Sequence, residues 1–315
     1  MFRWMTLGVV PAFIVGALYW QLQPDFTPAR AAAAPIEPVP APQTRAEVER
    51  RPTSLDDKCF RRGTAISEKL GEGCRILVRT PFVLAGDLRE AELERHYRET
   101  ILTTARALFV SYFDTEPHEP ITILICSADE SYQKYAQLLD GNPRVAYSGY
   151  YERGDRRVVI NAATGNGTLA HELTHALAHF DFPEMPEWFD EGLASLHEQS
   201  EFSDDGLRIV GQSNWRLRFL VPAIRNGELQ PLESLLQAQR VRSEEQAVDY
   251  AQARYLCLYL QQKNMLVPFY RKFRESADVD PTGRRALCRL FGVDSINEVD
   301  RDFQKWALSL SRVGL

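Results

Sequence analysis

Residues 167–198, GTLAHELTHALAHFDFPEMPEWFDEGLASLHE, hold three of the chain's six histidines within nine residues and follow them with two acidic clusters. Thr168 is a plausible N-cap, with Gly165 and Gly167 ahead of it to turn the backbone, and Pro183 bounds the far end, so a helix is expected from Thr168 to about Phe180. The DFPEMP break ends that helix, and Pro186 can open a second one. On the first helix His171 and His175 are one turn apart on one face, about 6 Å along the axis, so both rings can converge on a single ion. Glu172 is rotated about 100° from His171, close enough to serve as a base beside the ion rather than as a ligand. A packed amphipathic helix with merely satisfied histidines leaves this shared face unexplained.

Three side chains compete to be the third ligand. His179 lies about 12 Å along the axis from His171, too far for a shared ion on an unbroken helix, and is expected to be a packed or exposed helical histidine. Asp181 would need a glycine to fold the chain back after the second histidine, and that place holds Ala178, a strong helix former. Glu191, on the second helix, can approach the first face-on and complete a His, His, Glu set with a fourth position open. Gly192 inside that second helix predicts close packing against the metal-binding helix.

The rest of the chain frames this stretch. Met5–Leu22 is eighteen residues without a charge, flanked by aromatic residues, and reads as a single membrane anchor in 1–22; its rival is a signal peptide cleaved near PARAAAAP. In either case the bulk is exported, and the expected location is the bacterial inner membrane with the folded region in the periplasm. Residues 23–55 are rich in Pro and Ala and read as an extended tether. A net charge of -6 without basic clusters gives no footprint for nucleic acid.

Of five cysteines, Cys59 and Cys74 flank a short loop that a disulfide could close, worth about 3 kcal/mol for a loop of about fifteen residues. Cys126, Cys257 and Cys288 read as small buried hydrophobes. RILVRTPFVLA and ITILIC read as buried strands around a helical pattern from about Glu90 to Phe113. SADESYQKYAQLL reads as a helix, DGNP as a turn, and AYSGYYERGDRRVVINA as a hairpin turning at Arg153–Asp155. After Glu198 nearly everything reads as helical. The expected fold class is α+β, with a mixed sheet and metal-bearing helix in 56–198 and a helical lobe in 199–315.

HELTH followed by WFDEGLA resembles the gluzincin zinc metallopeptidases, in particular the peptidase MA-like domains distantly related to aminopeptidase N and thermolysin. The order of elements extends the resemblance over roughly residues 75–311. The fifteen residues between His175 and Glu191 are a few fewer than in aminopeptidase N, which makes the MA-like branch the closer parallel. The resemblance implies a zincin-like fold, one Zn2+ per chain held by His171, His175 and Glu191, and Glu172 as general base in peptide-bond hydrolysis. It also implies an oxyanion donor from the helical region, Tyr250 first and Tyr255 second. Asp190 or Ser195 would orient a ligand, and the GYYERGDRRVVIN strand would pair with an extended peptide. The implied function is a membrane-tethered, exported zinc metallopeptidase acting on peptide or protein substrates. The alternative is a non-catalytic zincin-fold module serving as an envelope binding or scaffold protein, which would have no need of Glu172.

Overall fold

The computed structural model describes residues 54–141, 148–238, 241 and 247–311. The expected anchor, nearly all of the tether, and the second half of the DGNP turn lie outside them. The chain is α+β, built on a mixed five-stranded sheet of order β1-β2-β3-β5-β4: Arg75–Arg79, Phe82–Gly86, Ile121–Cys126, Arg157–Asn161 and Gly149–Glu152. The central strands β2, β3 and β5 run parallel, and the outer strands β1 and β4 are antiparallel to their neighbours. FVLAG, ITILIC and RVVIN are buried along their whole length, as strands covered on both faces must be.

The two-residue period sorts their side chains into two cores. Leu84, Ile123, Ile125, Val158 and Ile160 point to the larger core, and Ala85, Leu124, Cys126 and Val159 point to the smaller. Helices α1 (Leu55–Leu70) and α4 (Asp129–Asp140) close the smaller face with Ile66, Leu70, Tyr132 and Tyr135. The larger core runs on from the sheet into the helices that follow. It takes in α5 (Asn166–Asp181), α6 (Glu187–Glu198), α9 (Ala247–Gln262), α10 (Leu266–Ser276), α11 (Arg284–Phe291) and α12 (Ile296–Leu310).

Several local expectations are corrected. RILVRTPFVLA is two antiparallel strands rather than one, because Pro81 has no N–H to continue a ladder and the chain turns at Thr80–Pro81. Glu90–Phe113 forms α2 (Glu90–His96) and α3 (Leu102–Ser111), joined through a π-helical turn at Tyr97–Ile101. The region after Glu198 is not wholly helical: β6 (Ser200–Phe202) and β7 (Ile209–Gly211) form a hairpin before α7 (Leu217–Asn226) and α8 (Leu232–Gln237).

Cys59 and Cys74 are both free thiols. The segment between them is helix α1, capped by a reciprocal Ser54–Asp57 box, which keeps Cys59 far from the residues beyond Leu70. The membrane location is also corrected. Among the described residues no helix is long and apolar enough to cross a membrane. Among them the longest helical stretch, Glu90–Ser111, carries Glu94, Arg95, Arg98, Glu99 and Arg106 in its interior, and charges there are costly in a bilayer.

Helix α5 lies on the sheet beside β5 and β4, and α6 is held between α5 and α9. A helical turn at Ala162–Thr164 and Gly165, at φ 97°, lead the chain into α5, so its N-cap is Gly165 rather than Thr168. The close approach at Gly192 is to α9, not to α5: a Cβ there would stand 2.8 Å from the Ala253 carbonyl oxygen and 2.9 Å from Cys257 Sγ. The other flank of α6 is anchored by Trp188 and Phe189 on Phe269 and Phe273 of α10, with Phe189 and Phe269 centroids 5.0 Å apart. Burying each such ring contributes about 1.5–3 kcal/mol.

Candidate metal centre

Two successive helices, α5 and α6, build the site. Along α5 the one-turn spacing of His171 and His175 brings their Nε2 atoms to 3.1 Å. Glu191 of α6 faces them, with Oε2 3.5 Å from His171 Nε2 and Oε1 3.8 Å from His175 Nε2. All three residues are buried, and their ligand atoms lie within 4.8 Å of one another, so the group could hold a metal ion. Two nitrogens bound at about 2.0–2.1 Å in a tetrahedral arrangement stand about 3.3 Å apart, which is close to the spacing seen here.

A carboxylate behind His175 fixes the direction of its ring. Asp190, next to Glu191, accepts from His175 Nδ1 at 2.7 Å through Oδ1 and from His179 Nε2 at 3.0 Å through Oδ2. With the His175 proton on Nδ1, the lone pair of Nε2 points into the three-residue group. Burial disfavours a charge on His175, but the carboxylates of Asp190, Glu191 and Glu172 outweigh it and push its pKa up to about 9. Burial works against Asp190 in the same way, and His175 and His179 nevertheless hold its carboxyl far below the ordinary range. The site is thus electrostatically prepared for positive charge, which a proton or a metal ion can supply. Glu172 is 2% exposed, next to His171 in the chain and one turn before His175.

The Tyr250 hydroxyl stands 3.5 Å from His171 Nε2, and its ring stacks near the His171 ring at 6.4 Å. The Arg216 guanidinium lies 4.8 Å over the opposite partner in this stack, the Tyr250 ring, and is itself paired with Glu198 at 2.8 Å. Tyr255 is directed elsewhere. Its hydroxyl donates to the Asn214 carbonyl at 2.9 Å and accepts from the Asn214 amide at 3.0 Å.

The remaining candidates are committed away from the group. Asp181 accepts from the amides of Asp114 and Thr115 at 2.9 and 2.8 Å and from the Tyr270 hydroxyl at 2.8 Å, and it pairs with Arg274. Burial opposes its ionisation, yet these donors hold its pKa below the usual carboxylate value. Ser195 donates back into its own helix, to the Gly192 carbonyl at 3.3 Å.

A pocket opens beside the group, lined by Tyr151, Arg153, His179, Met185 and Glu187 together with His175, Asp190 and Glu191. Its β-sheet wall is β4, an outer strand of the sheet. Sequence reasoning did not single out Tyr151, Arg153 or Arg216. The period-2 pattern of the hairpin could have marked Tyr151 as opposite in face to Tyr150, but nothing local joins Arg216 to Tyr250. The chain matches no protein-family model and no curated protein.

Proposed function

We propose that this chain is a zincin-like, zinc-dependent metallopeptidase that hydrolyses peptide bonds with Glu172 as general base. The observation that carries the reading is the buried meeting of His171, His175 and Glu191, contributed by two helices at ligand spacing, with the buried Glu172 carboxylate next to His171 on the first of them. Two imidazoles and one carboxylate are the donor set of catalytic zinc sites, and zinc so held acts as a Lewis acid that lowers the pKa of water and polarises a carbonyl.

The chain's own groups divide the remaining work. Asp190 holds the His175 tautomer, so that Nε2 stays available as a ligand. The Glu172 carboxylate accepts a proton from the attacking water and returns it to the nitrogen of the leaving amine. The Tyr250 hydroxyl, beside His171, donates a hydrogen bond to the oxyanion that develops on the substrate carbonyl. The outer strand β4 offers main-chain groups to an extended peptide, a mode of binding with little sequence selection.

The test is zinc content and hydrolysis of a peptide library, measured on the wild-type chain and on Glu172→Gln. The expected result is one zinc per chain in both proteins, with hydrolysis in the wild type alone. Zinc without hydrolysis in the wild type would favour the binding or scaffold module instead. Absence of zinc from both would overturn the metal reading.

A further inference from the structure

Helix α5 carries a third histidine that the proposed chemistry does not use. His179 is one turn beyond His175, its ring is 6.3 Å from the His175 ring, and its Nε2 is 3.0 Å from Asp190 Oδ2. Asp190 thereby bridges one turn of α5, with one carboxylate oxygen on each histidine. His179 Nδ1 is buried and makes no hydrogen bond among the described residues, so the ring's only hydrogen bond there is the one to Asp190. This assigns the proton to Nε2 and makes His179 a donor. The Tyr151 ring of β4 lies beside the His179 ring, at a centroid distance of 5.3 Å and a tilt of 43°.

A carboxylate has a soft terminal torsion, so one hydrogen bond does not fix its plane. Asp190 is 9% exposed, and losing the donor at Oδ2 would leave a buried oxygen unsatisfied. The group would then rotate toward another donor and draw Oδ1 away from His175. The distance that removes His179 from the ligand set, about 12 Å from His171, is what lets it reach the far side of Asp190.

We propose that His179 is a positioning residue for the metal centre, locking Asp190 so that Asp190 holds His175 Nε2 toward the ion, and that β4 keeps His179 in place through Tyr151. The inference rests on the metal reading above. It predicts that the third histidine controls metal affinity without being a ligand.

The experiment measures zinc affinity of the full chain for the wild type, His179→Ala and His179→Gln, with cobalt substituted for zinc as a spectroscopic report on ligand geometry. Glutamine places an amide nitrogen where imidazole Nε2 stood. Loss of an outer partner of a metal ligand typically weakens affinity about 10–100-fold, and one step further out the lower end, about tenfold, is expected for His179→Ala. His179→Gln should restore most of that affinity and the wild-type cobalt spectrum, while urea unfolding of the metal-free proteins remains similar. Wild-type affinity and spectrum in His179→Ala would overturn the inference alone. So would a loss shared by both variants that follows a loss of metal-free stability, since that marks a merely structural histidine. Failure of the wild type to bind zinc or cobalt would overturn the metal reading itself.

Discussion

His197, near the end of α6, tests whether this region is a dry, close-packed interior. It is 1% exposed, its ring lies 5.6 Å from that of Tyr112, and neither of its nitrogens has a hydrogen-bond partner among the described residues. Burial, with the Arg254 guanidinium adding to it, pushes its pKa down to about 3. An unfolded histidine titrates near about 6.5. Between those values the unfolded chain binds a proton that the folded chain refuses, so the contribution to stability is intact above pH 6.5 and declines as pH falls toward 3. At pH 5.0 the unfolded state is favoured by about 1.5 pH units of protonation at about 1.4 kcal/mol each, or about 2 kcal/mol. Replacing His197 by Leu removes the proton site with a side chain of similar size. Urea unfolding of the metal-free proteins at pH 7.5 and 5.0 should show the wild type losing about 2 kcal/mol more than His197→Leu. The many carboxylates common to both proteins cancel in this comparison. Equal losses, or a greater loss in the variant, would refute a buried neutral His197.

Two further substitutions address the site more directly. Gly192→Ala forces a methyl group against the Ala253 carbonyl and Cys257 Sγ, so urea unfolding should show a loss of about 1–3 kcal/mol, with weaker zinc binding because Glu191 is the adjacent residue. Tyr250→Phe should leave zinc affinity near the wild-type value and lower kcat by about 10²–10³-fold, the usual effect of losing an oxyanion donor; unchanged turnover would remove Tyr250 from the chemistry.

Much of the site was legible because its logic is local. A helix repeats every 3.6 residues, so His171 and His175 had to share a face, and Ala178 spoke against folding the chain back to Asp181. The DFPEMP break separated two helices, which allowed Glu191 to meet the histidines from a second direction. Tyr250 and Tyr255, five helical residues apart, differ by about 140° around the axis, so both could not face the same point. Which of them does so is decided by Asn214, far away in the chain, which engages Tyr255.

The illegible parts were contacts of this kind. A glycine in a helix announces a close neighbour but not its identity, and at Gly192 that neighbour is α9. Asp190 and Ser195 were equal candidates to orient a ligand until the directions of their side chains were known. His179 stands outside the group of His171, His175 and Glu191, and its reach to Asp190 depends on how α6 crosses α5. The helix over Leu55–Leu70 was obscured by the attraction of pairing Cys59 with Cys74, although Ser54 and Asp57 carried its capping box in plain view.

Zinc affinity of the wild type, Glu191→Ala and Asp181→Asn, measured by competition with a chromophoric chelator on the folded fraction, decides which carboxylate completes the ligand set. Glu191 shares the group with His171 and His175, whereas Asp181 is held by Tyr270, Arg274 and two backbone amides. Ligation by Glu191 predicts one tight zinc in the wild type, collapse of affinity in Glu191→Ala and near-wild-type affinity in Asp181→Asn. Retained affinity in Glu191→Ala together with collapse in Asp181→Asn would contradict it.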